Sequence, residues 1–261
     1  MLAPVAIGQQ LSMLKQNKFI KVYLDLVLTS TYVCSQLKDY DSGNVIQRER
    51  LDYEKISDAS LLLPKIKKIL EIINIDFYNV VEPKFIFDNN YYIFVPDSLY
   101  IKGKEKTFLK FNVGLESDDY VTTDSIEKLN IYNIYLPYVN INNYLIEKFK
   151  KLEFYHYNTV LINKIVSVSN SDSCHCFIEN TDLKILIIEN GEIFYFNSFS
   201  YKTLDDILYY TLLIINDQSF KNKNIPINIH AGKKIDEIKV KFNNFIKNIS
   251  VIKNNNFAQV L

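Results

Sequence analysis

Tryptophan is absent from this sequence, and glycine, proline, cysteine and histidine are scarce, with six, six, three and three in 261 residues. Three cysteines, Cys34, Cys174 and Cys176, are an odd number in a chain long enough to bury a large core. A disulfide scaffold is thereby excluded, and the thiols are expected reduced, as in a cytosolic protein. No charge sign prevails, since Lys+Arg and Asp+Glu stand at 30 each. That balance gives no global pull toward nucleic acid or an anionic membrane. No apolar run reaches the roughly 20 residues of a membrane span. The first sixteen residues lack a basic stretch followed by a continuous apolar core, so a cleaved signal is not expected. What abounds is Asn, Ile, Lys and Tyr, a compositional bias that leaves single lysines and asparagines little functional weight.

Hydrophobic patterning is clearest over residues 173–253. Ser173–Glu179 is short, half apolar and strand-like. Leu183–Glu189 and Glu192–Phe199 are β-rich runs separated by Asn190-Gly191. Asn-Gly in that setting signals a hairpin, because both central residues of a type I′ turn take positive φ. From Thr203 the period changes: Leu204, Ile207, Leu208, Thr211, Leu212 and Ile215 recur at helical spacing. Thr203 with Asp206 reads as a capping box with a shortened acid. Pro226–Ala231 is a short apolar run ending at Gly232. Lys233–Lys247 is helical again, with Ile235, Ile238, Phe242, Phe245 and Ile246 on one face, and Asn248–Lys253 closes as a strand. The order β-β-β-α-β-α-β is a three-strand meander followed by two crossovers that force parallel pairing. It is the order of the ribonuclease-H-like fold, which serves nucleases, integrases and each lobe of the actin-like ATPases. Order alone therefore carries no function.

The first half begins in the same way. Phe19–Leu28, Thr29–Leu37 and Val45–Leu51 read as strands, with a turn cluster at Asp39–Asn44. A helix capped by Ser57 or Asp58 runs toward Asn74, with Pro64 in its first turn or at a break. Lys84–Asp88, Tyr91–Val95, Tyr120–Thr123, Ile131–Pro137 and Glu153–Tyr157 follow as strands. Asp97–Phe111 is expected as a helix weakened at Gly103, and Asn140–Lys151 as an amphipathic helix. Asn158–Val168 joins the halves as a helix, followed by the polar link Ser169–Ser173. The expected organisation is an α/β protein with mixed sheets. Residues 1–17 are a leader, loosely ordered or docked. Residues 18–157 form a first ribonuclease-H-like lobe with insertions, and 158–261 a connecting helix with a second.

Several stretches resemble a family of uncharacterised Bacteroidota proteins that carries a domain-of-unknown-function label. They are Ile93–Pro96 with the following Asp97-Ser98-Leu99-Tyr100, then Phe111-Asn112, Phe154–Thr159, Ile187–Phe199 and Leu204–Tyr210. The resemblance spans roughly residues 18–252 and is most specific in the second half. It implies an actin-like ATPase arrangement of two ribonuclease-H-like lobes, akin to pilus and secretion proteins that use this fold as a cytoplasmic scaffold. It implies no established activity.

Actin-like ATPases bind nucleotide between lobes: two hairpin loops present N–H groups to phosphates, and an acid from each lobe holds the metal or orients water. The matching positions here are Asp25 as the acid, Thr29 and Ser30 as the first phosphate loop, Glu179, Asn180, Thr181 and Asp182 as the second, and Gly232 as half of an adenosine turn. Scarce glycine matters most at this point. Leu26 follows Asp25 where the active enzymes have glycine, and residues 179–182 contain none, so Cβ atoms obstruct close backbone approach. The bland alternative is two ordinary hairpin loops with solvated acids.

Other chemistries fare worse. A nuclease needs carboxylates converging on paired metals, yet Ser173–Glu179 has no central aspartate and Asp206 reads as a cap. In a strand, Cys174 and Cys176 share one face and His175 takes the other, so the three do not converge on a metal. His156 and His230 have no triad partners nearby in sequence and are expected as edge or capping residues. Tyr155, Tyr157, Tyr209 and Tyr210 are expected in packing rather than as stacking platforms for single strands. The expectation is a cytosolic two-lobed protein with a degenerate nucleotide site, binding a protein partner or itself, with no nucleic acid and no membrane span. The alternative is a magnesium-dependent ATP-binding protein or ATPase whose lobes close on nucleotide.

Overall fold

The computed structural model describes residues 20–168, 171–217 and 225–253. The expected leader, and Ser169 and Asn170 of the polar link, lie outside these residues. The chain divides into two compact units: residues up to Ser125 with Ile131–Val160, and Ile126–Asn130 with the residues from Leu161 onward.

The first unit is built on a sheet of β1 (Lys21–Leu28), β2 (Tyr32–Asp39), β3 (Val45–Asp52), β4 (Asn79–Phe87) and β8 (Glu153–His156), in the order β3-β2-β1-β4-β8. β1 pairs antiparallel with β2 and parallel with β4, and β4 pairs parallel with β8. Val22, Leu24, Leu26 and Leu28 lie on one face and meet Ile66, Ile69 and Leu70 of α1 (Leu63–Ile72) and Ile141 and Leu145 of α3 (Val139–Phe149). Val27 on the opposite face is equally buried, so this central strand reads as a nearly unbroken apolar run. Asp58 caps a 3-10 turn rather than α1 itself, accepting from Ser60 N at 2.8 Å, and Pro64 sits in the first turn of α1.

Between β4 and α3 the chain inserts a small sheet of β5 (Tyr92–Pro96), β6 (Thr122–Ile126) and β7 (Ile131–Tyr135), ordered β5-β7-β6. The helix expected over Asp97–Phe111 is here a 3-10 turn, Asp97–Leu99, and a short α2, Glu105–Leu109. Gly103 separates them at φ +85, a left-handed conformation that no helix interior accepts. The strand expected over Tyr120–Thr123 lies later, as β6.

The second unit keeps the expected order: β9 (Ser173–Ile178), β10 (Asp182–Glu189), β11 (Glu192–Ser200), α5 (Leu204–Ile215), β12 (Ile227–Ala231), α6 (Ile235–Asn243) and β13 (Ile249–Lys253). Its sheet runs β11-β10-β9-β12-β13, with β9, β12 and β13 mutually parallel. Asn190 and Gly191 take φ of 52° and 78°, as a type I′ turn requires. Cys174, Cys176, Ile185, Ile229, Ile207, Ile238 and Phe242 form the core beneath α5 and α6. α6 ends at Asn243, so Phe245, expected on its buried face, is 63% exposed. Helix α4 (Tyr157–Val168) carries the chain from the first unit into the second.

The Thr203 hydroxyl accepts from Asp206 N, and the Asp206 carboxylate accepts from Thr203 N at 2.9 Å, which completes the capping box. Thr203→Ala should cost about 1 kcal/mol. Urea unfolding checks this: the midpoint should fall while its slope stays constant.

Candidate functional site

In open α/β sheets, ligands are bound outside the carboxyl ends of the parallel strands. In the first unit those ends belong to β1, β4 and β8. Leu28 pairs with Phe87 and Phe87 with His156, which brings Thr29, Asp88 and Tyr157 to one end of the sheet. Several backbone groups of the β1–β2 turn are already paired within the protein. Thr29 N donates to Tyr32 O at 2.9 Å, and Thr29 Oγ1 accepts from both Thr31 N and Tyr32 N at 3.1 Å. The Thr29 and Ser30 carbonyls are taken by the Tyr53 hydroxyl and Ile56 N. Asp25 lies in mid-strand, four residues before Thr29. Its carboxylate is 2.7 Å from Lys38 Nζ on the neighbouring strand.

The ends of β4 and β8 are covered by the inserted sheet. The His156 ring lies among Phe87, Tyr92 and Tyr135, with centroids 5.0 Å from Tyr92 and 5.1 Å from Tyr135. Asp124, from β6, accepts from His156 N at 2.9 Å and from the Tyr135 hydroxyl at 2.6 Å. Asn133 Nδ2 donates to Thr159 Oγ1 at 2.9 Å. Burial raises the Asp124 carboxyl above its ordinary pKa, although the bonds from Tyr135, His156 N and Thr159 oppose the shift. His156 Nδ1 accepts from Asn158 N at 3.2 Å, so the expected capping role holds at the start of α4. The residue is wholly buried, although β8 is the outermost strand of its sheet.

In the second unit, Ala231 pairs with Ile178, so Gly232 and the loop Glu179–Asp182 leave adjacent strands at the same end. This loop too is tied to its own lobe. Glu179 N donates to Asp182 O at 2.9 Å, Tyr201 N to Thr181 O at 3.0 Å, and the Tyr201 hydroxyl to Glu179 O at 2.6 Å. The Asp182 carboxylate accepts from the Thr181 and Ser200 hydroxyls at 3.0 and 3.1 Å. Burial, with help from Glu179 and Asp182, pushes the Tyr201 phenol up to about 12. The left-handed residue of the bend after β12 is Lys234, at φ 56°.

Sequence reading missed a chain of polar groups on the second sheet, away from α5 and α6. His175 Nδ1 lies 3.0 Å from His230 Nε2, and His175 Nε2 lies 3.0 Å from Ser173 Oγ, which donates to Ser171 O at 3.0 Å. The available signal was the parallel register, which sets His175 opposite Asn228 and Phe177 opposite His230. The spacing is that of a Ser–His–His relay, but the chemistry is not nucleophilic. Because the serine hydrogen is given to Ser171 O, His175 Nε2 donates to Ser173 Oγ and cannot accept its proton. Burial holds His175 at about 4, and burial with the charges of His175 and Lys164 holds His230 at about 3. A base that weak is mismatched to neutral pH. On the other face, a hydrogen bond with the Cys176 thiol, together with burial, raises the Cys174 thiol well above its ordinary pKa. Among the described residues, no group of three His, Cys, Asp or Glu side chains is placed to hold a metal ion, and no helix is long and apolar enough to cross a membrane.

Residues 16–249 match the family described as "Protein of unknown function (DUF3822)". The chain belongs to the DUF3822 family. Comparison with curated proteins returns no match. Among solved structures, this DUF3822 chain is similar to a protein of unknown function with an actin-like ATPase fold from Bacteroides thetaiotaomicron. The TM-score is 0.72 at 19% identity, over 92% of this chain and 94% of that one. It is also similar to the PilM-PilN type IV pilus biogenesis complex, with TM-score 0.55 at 8% identity over 88% of each chain. The ethanolamine utilization protein EutJ from Carboxydothermus hydrogenoformans gives TM-score 0.50 at 10% identity, over 95% of this chain and 93% of that one. At these identities the likeness shows the fold. This DUF3822 protein has the two-lobed actin-like ATPase fold.

The two buried histidines make stability depend on pH. Folded, they stay neutral to about 4 and about 3; unfolded, they take protons near 6.5. Their contribution is therefore fully present above pH 6.5 and is lost as pH falls toward 4. The raised Asp124 carboxyl acts with the opposite sign, so the histidine part is best isolated by substitution. Thermal melts at pH 7.5, 6 and 5 should fall more steeply for the natural protein than for His175→Gln/His230→Gln.

Proposed function

We propose that this protein is a cytosolic binding or scaffold protein that keeps the actin-like ATPase fold with a degenerate nucleotide site. The observation that carries this reading is that the N–H groups of Thr29, Thr31 and Tyr32 in the β1–β2 turn are taken within the turn. A phosphate loop works by aiming backbone N–H groups at the ligand. Here Thr29 Oγ1 takes the N–H groups of Thr31 and Tyr32, and Tyr32 O takes that of Thr29. Asp25, the candidate metal acid, neutralises Lys38. The carboxyl ends of β4 and β8 are filled by Tyr92, Tyr135 and Asp124. These residues do not fit a magnesium–nucleotide complex. Asn180, Thr181, Asp182 and Gly232 belong to the same reading as the remnant of the second loop.

Two further points support a binding role. One structural neighbour is a two-protein assembly, the PilM-PilN complex, so the fold can serve by holding a partner. The three cysteines are buried and none is in a disulfide, which suits a reducing compartment.

Calorimetric titration of magnesium and ATP, with a thermal-shift assay, tests this. The expected result is no heat and no shift at millimolar ATP. Asp25→Ala should lower stability by about 2 kcal/mol, because Lys38 loses a charge-assisted bond, while leaving the titration unchanged. Micromolar binding that disappears in Asp25→Ala would overturn the reading in favour of a magnesium-dependent ATP-binding protein or ATPase.

A further inference from the structure

We propose that the inserted sheet of the first unit holds one monovalent metal cation, of the sodium or potassium kind, between the Asp124 carboxylate and the Asn133 amide oxygen. The inference does not depend on the nucleotide site.

Topology makes the two residues neighbours. β6 and β7 are hydrogen-bonded strands of five residues each, joined by residues 127–130. So short a connection makes them antiparallel. Their equal spans then set the middle residues, Asp124 and Asn133, side by side on one face. From the start of α4, Thr159 reaches both. Its hydroxyl bonds the Asp124 carboxylate, and its oxygen accepts from Asn133 Nδ2 at 2.9 Å. Asn133 is wholly buried and Asp124 nearly so.

Two unmet demands come together there. The first is charge. The Asp124 carboxylate takes hydrogen bonds from the Tyr135 hydroxyl, His156 N and the Thr159 hydroxyl. Among the described residues no lysine or arginine pairs with it. The imidazole beside it is neutral, because His156 Nδ1 accepts from Asn158 N. A carboxylate has room for about four partners, so one position on it stays open. A buried charge needs a counter-charge or a metal ion. The second demand is that of an acceptor. The Thr159 hydrogen goes to Asp124, so Thr159 Oγ1 must accept from Asn133, and this fixes Nδ2 toward Thr159. Asn133 Oδ1 is left buried with no hydrogen-bond partner among the described residues, and both polar atoms of the Asn158 side chain, one residue before Thr159, are in the same condition. A water molecule would satisfy the amide but leave the charge uncompensated. A cation meets both demands. The donors are hard oxygens, which disfavours soft metals. One carboxylate balances one positive charge, whereas divalent ions ask for more oxygen ligands or retained waters.

Thermal melts of the full chain in sodium, potassium and choline chloride at equal ionic strength provide the test. Choline is too bulky for a buried site and reports screening alone. The melting temperature should stand about 3 °C or more higher in about 100 mM sodium or potassium chloride than in choline chloride. Asn133→Leu, which removes the amide oxygen, and Asp124→Asn, which removes the charge, should each abolish that difference. Crystals of the natural protein grown with thallium(I) acetate give a second readout that no substitution can disturb. An anomalous peak should lie in contact with both the Asp124 carboxylate and Asn133 Oδ1. Equal melting temperatures in the three salts would overturn the proposal. So would a sodium or potassium effect that survives Asn133→Leu, or thallium-grown crystals that show only a water between the two side chains.

Discussion

A polar backbone group removed from water needs a partner, and that constraint acts hardest where parallel strands stop. Parallel strands covered on both faces are apolar almost throughout, so their first unsatisfied groups appear together at the carboxyl ends. An enzyme of this fold class leaves some of those groups to a ligand. In the first unit here the protein itself supplies partners for several of them. A threonine hydroxyl serves the β1–β2 turn, and an aspartate from the inserted sheet serves the end of β8. The aromatic rings of that inserted sheet then exclude water from the same place.

The second unit obeys the constraint by other means. Its loop after β9 leans on Tyr201, whose main chain and hydroxyl both reach back to it. On the outer face of its sheet, two histidines and a serine satisfy one another in sequence. Burial has made those imidazoles poor bases, and what would be a relay in an exposed cleft becomes a fixed hydrogen-bonded strut.

Much of the architecture was legible in residue order. Asn190-Gly191, the Thr203–Asp206 box and the change from alternating to helical spacing fixed the second unit nearly element by element, because each is a local signal. The first unit was harder to read. Its inserted strands are short, and Gly103 divides what composition suggested was one helix into two turns. For the site, the missing glycines at Leu26 and over residues 179–182 are the legible signal on which the proposal of a degenerate site rests, since a side chain in a phosphate loop is a local fact. The cluster of Asp124, Asn133, Tyr135, His156 and Thr159 was not legible. It joins residues up to 35 positions apart (124 to 159), whose proximity follows only from how the inserted sheet docks on the strand ends. His175 and His230 are separated in the same way, by 55 positions.

The bond from His156 N to Asp124 also bears on how the inserted sheet could have arisen and whether it could be lost. Residues 92–135 look like an appendage in topology, since they interrupt the path from β4 to α3 without adding a strand to the main sheet. Energetically they are a keystone. Their carboxylate holds the amide where β8 becomes α4, and their tyrosines enclose the imidazole that caps the helix. Shortening the insertion would strand a buried amide and open the helix start to solvent, so descendants of this chain can trim its loops far more readily than they can shed the sheet itself.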